Sequence, residues 1–443
     1  MPDWRRRAFL ASSVAGLSAV AGCASLPVVG NSDDEPSYDY QRLGDAADPD
    51  AVPEPSLYPG RVPDALAEAH YERGRSLLDG VPADLSFPNG VVEARLTDQR
   101  ERAAEDFAAA PDGVSSVGTL GQWRRAREDA AEVRGAYDAA SGDLTQADIA
   151  DRRARVRSDL TSFRSDWSYR GDTVVEAVVV HRQLERLASA ARRSLLGRRR
   201  LRDDLQSAVF AAGEVVADLE GGRATVADAA GLRDAYVTDG MDAYVDDIAT
   251  AASRLEDVIS ATLRNVGPDI DRESDVGDFH RDLEGTPAAE LFWVAQRTVV
   301  GTPNMVGDTI ARGDYATAVA SAGHTLVDVV AAGSAVSAIR DGEHGQPAST
   351  DEIVELREQA FAAVDDTLPT ESGSVEAFVG WPARRALRDA ESELGGYEFE
   401  DEDRTPDHRD VVRAVGGYAY AVYAADAVPA VVDRVESELG AGE

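Results

Sequence analysis

The sequence predicts an all-α protein, and three observations support this prediction. No proline occurs in the 156 residues between Pro111 and Pro268, and because proline costs about 3 kcal/mol inside a helix, this favours long helices. Apolar residues in the same stretch recur at steps of three and four, as one face of a helix requires. The sequence also lacks segments in which apolar and polar residues alternate between turn residues, the pattern typical of strands.

The charge composition is the second distinctive feature. The chain has 81 acidic and 45 basic residues, a net charge of -36, and every basic residue is arginine. The missing lysine excludes Walker A loops, Schiff-base chemistry and S-x-x-K acyl enzymes. The single cysteine, Cys23, excludes an intramolecular disulfide and cysteine-rich metal sites. This composition resembles that of proteins from halophilic archaea, whose carboxylates keep the surface hydrated where multimolar salt shortens the Debye length to about 3 Å.

The first 23 residues contain a pattern of export signals. They include, in order, Arg6, Arg7, Phe9, Leu10, Gly22 and Cys23. This pattern resembles a twin-arginine signal peptide that ends in a lipobox. The resemblance implies that the twin-arginine export machinery reads Arg6 and Arg7, that cleavage follows Gly22, and that Cys23 carries a lipid. The implied location is the extracellular face of the cell membrane, with the lipid as anchor. The apolar run from 8 to 22 is shorter than the roughly 20 residues of a spanning helix, and the alternative is an uncleaved anchor with an unmodified cysteine.

Four segments follow from composition and apolar spacing. Residues 1–22 form the signal peptide, and residues 23–61 form the lipidated cysteine with an acidic tether, since they contain many aspartates and six prolines. Residues 62–285 are predicted to form a long antiparallel bundle resembling a coiled coil. Residues 286–443 are predicted to form a C-terminal helical bundle.

Within the long bundle, helices are expected at 65–78 and 91–109, followed by helices with narrow apolar stripes. One stripe runs from Trp123 to Tyr137 and another from Met241 to Val258. Between them, residues 173–220 could form one helix of about 70 Å at 1.5 Å per residue, bent at Gly197.

The C-terminal bundle begins with a predicted helix start at Thr286, which is followed by a proline. Two later runs, 316–339 and 411–432, are almost entirely small and apolar. Charged groups such as Asp328 and Asp426 interrupt them, which would make lipid exposure costly. Both runs are therefore predicted to be central helices of a soluble bundle.

Two pairs of residues have the spacing of a small metal or acid–base site. His280 and Glu284 lie four residues apart, as do His324 and Asp328, which places each pair on one face if the segment is helical. Such spacing is common by chance, and a mutual hydrogen bond is the simpler interpretation for His324 and Asp328 on a buried helix. No cofactor is predicted.

A basic cluster stands out in this acidic chain. It consists of Arg192, Arg193, Arg198, Arg199, Arg200 and Arg202. The cluster predicts either a site for an anionic partner or ion pairs with carboxylates of neighbouring helices, and the second is favoured because salt screens long-range attraction. The acidic loop 398–403 is interpreted as a solvated surface rather than a calcium loop, because it lacks the EF-hand order.

The leading functional hypothesis is a non-enzymatic, lipid-anchored scaffold or interaction protein on the cell surface, with a cell-surface protein as possible partner. A second hypothesis is a lipoprotein that binds a solute or metal in a pocket of the C-terminal bundle around His324, Asp328 and Trp381. A third is a metal-dependent hydrolase that uses His280 and Glu284. Nucleic acid is not expected as a partner of an exported protein.

Overall fold

The computed structural model describes residues 37–55, 58–108, 116–196, 205–266, 270, 274–301, 305–369, 373–395 and 405–440. Helices dominate, and the strands of the described residues are two residues long each, so the predicted all-α fold is confirmed. The chain divides into two compact units. The first unit comprises residues 56–245, and the second comprises residues 1–55 together with 246–443.

The helices are numbered in chain order. The N-terminal part contains α1 (Tyr40–Ala46), α2 (Asp64–Asp79), α3 (Gly90–Glu105), α4 (Val117–Ser141), α5 (Gln146–Ser165), α6 (Val174–Leu196), α7 (Val209–Tyr236) and α8 (Val245–Val266). The C-terminal part contains α9 (Pro287–Val300), α10 (Met305–Ala311), α11 (Tyr315–Arg340), α12 (Thr350–Asp365), α13 (Glu376–Val379), α14 (Trp381–Gly395) and α15 (His408–Leu439). Strands β1 (Arg170–Gly171) and β2 (Asp242–Ala243) pair antiparallel in the first unit.

In the first unit, α4 and α7 cross at very short range. A Cβ on Gly135 of α4 would lie 2.6 Å from Cβ of Val216, and a Cβ on Gly213 of α7 would lie 2.7 Å from the Glu132 carbonyl oxygen. These distances are shorter than ordinary van der Waals contact, so the crossing requires glycine on both helices.

The single long helix predicted for 173–220 is wrong. Helix α6 ends at Leu196 and α7 begins at Val209. The two helices run antiparallel, because Tyr236 at the end of α7 meets Glu176 at the start of α6, while Gly222 in the middle of α7 faces Ser194 at the end of α6. Folding back lets both helices bury apolar faces that one continuous helix would leave exposed.

The predicted tether is only partly correct, because residues 37–55 pack onto the second unit. Tyr38, Leu43 and Val52 are buried there. The Tyr38 hydroxyl donates to the Pro347 carbonyl at 2.8 Å. These three side chains attach the segment to the unit by apolar contacts. The sequence does not indicate this, because aspartates and prolines dominate the composition of the segment. Residues 23–36 lie outside the described residues.

The boundary between the units falls at 245/246 and not at the predicted 285/286. Helix α8 belongs to the second unit, where Val266 lies 3.2 Å from the position a Cβ on Gly333 would take, and Arg254 lies 3.9 Å from Glu438. The apolar stripe of α8 was recognised, but a stripe does not indicate which bundle covers it.

Helices α11 and α15 are long and apolar enough to cross a membrane by length and composition alone. In each, however, 72% of the most apolar window is buried inside the protein. The two helices pack against each other and against α9. They are the central helices of the second unit, as predicted.

Candidate functional site

A cleft of about 850 Å³ lies among four helices of the second unit, α9, α11, α14 and α15. This volume is within the roughly 300–1,000 Å³ of small-ligand sites. Its charged lining consists of Arg297, Arg385, Arg413, Glu290, Asp328, Asp389 and Glu393. Three arginines against four acids are somewhat closer to balance than the 45 basic and 81 acidic residues of the whole chain.

Helix α14 presents a regular polar face to the cleft. Trp381, Arg385, Asp389 and Glu393 line it at four-residue steps, so they share one side of the helix. The other side of α14 buries apolar residues such as Leu387. Their burial fixes the orientation of the helix about its own axis. Sequence reasoning missed this charged face, although the spacing is a signal that could have revealed it.

Two adjacent glycines of α15 set the closest approach of the surrounding helices. A Cβ on Gly416 would lie 2.9 Å from Cβ of Glu290 on α9, and a Cβ on Gly417 would lie 2.9 Å from Cβ of Ala390 on α14. Larger residues would push α9 and α14 away from α15. The glycines therefore help to define the width of the cleft.

His324 of α11 is held by a carbonyl and an aromatic ring. Its Nε2 lies 2.7 Å from the Phe378 carbonyl oxygen, and because a carbonyl only accepts, Nε2 carries a proton. The imidazole stacks on Trp381 with 5.1 Å between ring centroids and 29° between planes. The two rings form an aromatic part of the cleft wall.

Asp328 has partners other than the predicted one. Its carboxylate accepts from Nη2 of Arg385 at 3.3 Å and from the Tyr420 hydroxyl at 3.3 Å. The predicted His324–Asp328 pair therefore lines the same cleft, but the two side chains have different partners, Phe378 and Trp381 for His324 and Arg385 and Tyr420 for Asp328. Side chains one turn apart lie on the same face of α11, yet α14 and α15 supply closer partners.

Burial controls the protonation of the cleft carboxyls. It raises the pKa of Asp328 to about 6, against the opposing effects of Arg385 and Tyr420. Burial also raises the pKa of Asp389, and Arg385 opposes that shift as well. The pKa of Tyr420 lies well above its ordinary value because the hydroxyl is buried beside Asp328, so Tyr420 acts as a hydrogen-bond donor.

The ion pairs of the cleft are long. Arg385 and Asp328 are separated by 3.3 Å, and Arg413 and Glu393 by 3.6 Å. Charge-assisted N–H···O bonds at their optimum measure about 2.7–2.9 Å. These arginines are therefore not fully engaged by their carboxylate partners.

Short hydrogen bonds surround a buried carboxylate elsewhere in the second unit, Glu391, in contrast to the long ion pairs of the cleft. Glu391 and its partners are called the buried hub. Glu391 of α14 is fully buried and accepts two bonds of 2.8 Å from Arg357 of α12. It also accepts from the Tyr418 hydroxyl at 2.6 Å and from the Asp48 backbone amide at 2.7 Å. Each carboxylate oxygen accepts two bonds, so the acceptor capacity is filled. This hub is structural, and sequence reasoning did not identify it.

Three charged groups of the cleft wall form no ion pair within 4.0 Å with any residue that the structure describes. They are Arg297 and Glu290 on α9 and Asp389 on α14. Each faces the cleft. A cation and two anions are therefore available to a ligand.

The second predicted pair, His280 and Glu284, does not share a helix face. Both residues are exposed and lie in the irregular segment between a 3-10 turn at Val276–Asp278 and the start of α9. The helical premise was wrong because α9 begins only at Pro287, after the Thr286 cap. His280 lines a separate hollow of about 470 Å³ with Arg281. Over the ranges the structure describes, no group of three or more His, Cys, Asp or Glu side chains is placed to hold a metal.

The first unit contains a buried charged network. Nε2 of His70 lies 2.8 Å from Asp228, which also accepts from Arg124 at 2.8 Å. Arg127 donates to Glu220 at 2.6 Å. His70 and Asp228 are 2% and 1% exposed, so this pair is a structural link between α2 and α7 that a substrate cannot reach.

A second buried histidine of the first unit is held in its neutral form. The Trp167 indole donates to Nδ1 of His181 at 2.9 Å, and Nε2 of His181 donates to the Arg170 carbonyl at 3.0 Å. Because an indole only donates, Nδ1 has no proton. Burial lowers the pKa of His181 to about 4.

The basic cluster is described only at its start. Arg192 and Arg193 are exposed near the end of α6, and neither forms an ion pair with a carboxylate in the described part of the chain. Arg198, Arg199, Arg200 and Arg202 lie outside the described residues, as do the acidic loop 398–403 and the whole export signal through Cys23.

Comparison with known families separates the same two regions. Residues 65–243 match the model of a domain of unknown function, DUF8262, and residues 245–437 match another domain of unknown function, DUF8264. No curated protein and no solved structure matches the chain. The first match ends at residue 243 and the second begins at residue 245, next to the boundary between the structural units at 245/246. The chain thus combines two all-α domains, of which the second contains the cleft.

Proposed function

We propose that the second unit binds a small solute in the cleft, and that a lipid on Cys23 holds the protein on the outer face of the cell membrane. The observation that carries the binding proposal is a set of charged groups that form no ion pair with any described residue, Arg297, Glu290 and Asp389, around a cleft of about 850 Å³. Charged side chains without partners in a concave site are the groups a polar ligand engages.

The cleft supports binding more directly than it supports a scaffold role. The scaffold hypothesis depends on the length of the helices, which many helical proteins share. The cleft adds an aromatic wall at Trp381 and a carboxyl, Asp328, whose pKa burial raises to about 6. Perturbed carboxyls in a cleft are frequent at functional sites. The proposal is of binding, without a reaction.

A cleft-filling variant tests the binding proposal. Ser321 of α11 lines the cleft, whereas Ser337 on the same helix is exposed elsewhere. Wild type, Ser321→Phe and Ser337→Phe are purified in multimolar KCl, and small molecules released on denaturation are identified by mass spectrometry. We expect a solute in wild type and Ser337→Phe but not in Ser321→Phe. The same small-molecule content in all three proteins contradicts the proposal.

The anchoring proposal is tested by fractionation. The support for it is the resemblance of residues 1–23 to a twin-arginine lipoprotein leader. We expect wild type in the membrane fraction, and Cys23→Ser released from it after export. A Cys23→Ser variant that stays in the membrane fraction to the same extent as wild type overturns the lipid anchor.

A further inference from the structure

Arg385 is oriented so that part of its guanidinium remains available. In the described residues, Nη2 is the Arg385 atom that contacts the Asp328 carboxylate. The guanidinium lies 4.7 Å from the centroid of the Trp381 ring, which fixes its plane by cation–π contact. A guanidinium has five N–H donors in a planar fork, so Nε and Nη1 remain for a carboxylate ligand.

An opposite charge lies one helical turn away. Asp389 follows Arg385 by four residues on the cleft face of α14, a rise of about 6 Å. Burial raises the pKa of Asp389, and the charges of Arg385, Arg388 and, more weakly, Arg297 of α9 oppose that shift, so Arg297 lies near Asp389 as well. The cleft thus places two cations, Arg385 and Arg297, near the anion Asp389. The other charged groups of its lining are Glu290, Asp328, Glu393 and Arg413.

A ligand with a single charge would fit this arrangement poorly. A simple anion would meet Arg385 and Arg297 but would also face Asp389, and a simple cation would face both arginines. Like charges across a binding site disfavour a ligand. A ligand that carries an ammonium and a carboxylate on the same carbon avoids either repulsion.

Building on the proposed binding function, we infer that the cleft binds a zwitterion of the α-amino acid class, with its carboxylate on Arg385 and Arg297 and its ammonium on Asp389. The side group lies against the apolar wall formed by Trp381 and Val294. A flat or branched apolar side group matches this wall best.

Three isosteric probes separate the two charges. Phenylalanine carries both, 3-phenylpropanoate carries the carboxylate alone, and 2-phenylethylamine carries the ammonium alone. Titration calorimetry of the full-length protein in multimolar KCl measures each affinity. We expect phenylalanine to bind at least about tenfold more tightly than either analogue, because hydrogen bonds to charged groups contribute more than neutral ones. Leucine, 4-methylpentanoate and 3-methylbutylamine form a second series with a branched side group.

Substitutions at two exposed residues identify which side chain binds the carboxylate of the ligand and which binds its ammonium. Arg297→Gln should weaken phenylalanine and 3-phenylpropanoate about tenfold and leave 2-phenylethylamine unchanged. Asp389→Asn should weaken phenylalanine and 2-phenylethylamine and leave 3-phenylpropanoate unchanged. Arg42→Gln, on α1 and paired with Asp351 at 2.7 Å outside the cleft lining, should alter none of the three.

The outcomes distinguish the inference from the function on which it rests. Equal affinities within a series, or variants that change all three probes alike, overturn the zwitterion assignment. If neither series binds while Ser321→Phe still loses a co-purified solute, the assignment fails and the binding function stands. If neither series binds and no solute is recovered, both fail.

Discussion

Replacement of Glu391 by glutamine tests whether the second unit depends on its buried hub. The substitution keeps the shape but turns one oxygen into an amide nitrogen that donates. Both carboxylate oxygens accept two bonds each, from Arg357 with Tyr418 and from Arg357 with Asp48. Whichever side the nitrogen takes, it faces two donors, and the ion pair to the 19% exposed Arg357 is lost.

The expected cost is about 3 kcal/mol, the low end for breaking a buried ion pair, because Arg357 retains some water contact. Urea unfolding in constant multimolar KCl measures it, since guanidinium chloride would change the ionic strength. Hydrogen exchange of peptides from 381–395 assigns the transition to the second unit. The matched control is Glu355→Gln on exposed α12 surface, where we expect a change below about 0.5 kcal/mol. A Glu391→Gln protein as stable as this control refutes the reasoning.

Three further predictions concern the first unit. Gly135→Ala should destabilise it by about 1–3 kcal/mol, because the added Cβ would meet the facing valine at 2.6 Å; urea unfolding measures the change. Asp228→Ala should cost about 3–5 kcal/mol, since it leaves a buried histidine and an arginine without their partner; thermal unfolding by circular dichroism detects it. The stability that depends on neutral His181 is complete above pH 6.5 and is lost as the pH falls towards 4, because the unfolded chain then binds the proton that the folded unit excludes. That loss amounts to about 2 kcal/mol between pH 7 and 5.

Each of these predictions has a matched control. Gly90→Ala, where a Cβ would meet nothing within 4 Å, should be neutral. Asp159→Ala, at an exposed position of α5, should change little. The pH effect is read as the difference between wild type and His181→Gln. Equal pH dependence of the two proteins would show that His181 is not the group responsible.

The sequence predicted helices well where the pattern was local. The first two expected helices, 65–78 and 91–109, correspond to α2 and α3. The Thr286 cap appears as predicted, with its side chain accepting from the Ala289 amide. Caps and apolar faces depend on residues within four positions of one another, so they can be read from the chain.

Predictions that depended on distant contacts were less successful. The polar composition of 37–55 predicts a tether, but Tyr38 and Leu43 are buried, and the Tyr38 hydroxyl bonds to the Pro347 carbonyl, some three hundred residues later. The His280–Glu284 pair failed because spacing alone does not show whether a segment is helical. His324, Asp328 and Trp381 line one cleft, although the hydrogen-bond partners of His324 and Asp328 differ from the predicted ones.

The sequence by itself determined the all-α class, the arginine-only acidic composition and the helix faces that must be buried, because each depends on residue type and local spacing. Only the tertiary structure decided where the two units divide, which carboxylates the arginines meet, and that Arg297, Glu290 and Asp389 surround one cleft without an ion pair to any described residue. The physical reason is that burial and charge pairing arise between helices distant in the chain. Their strength depends on which faces meet and how closely the backbones approach.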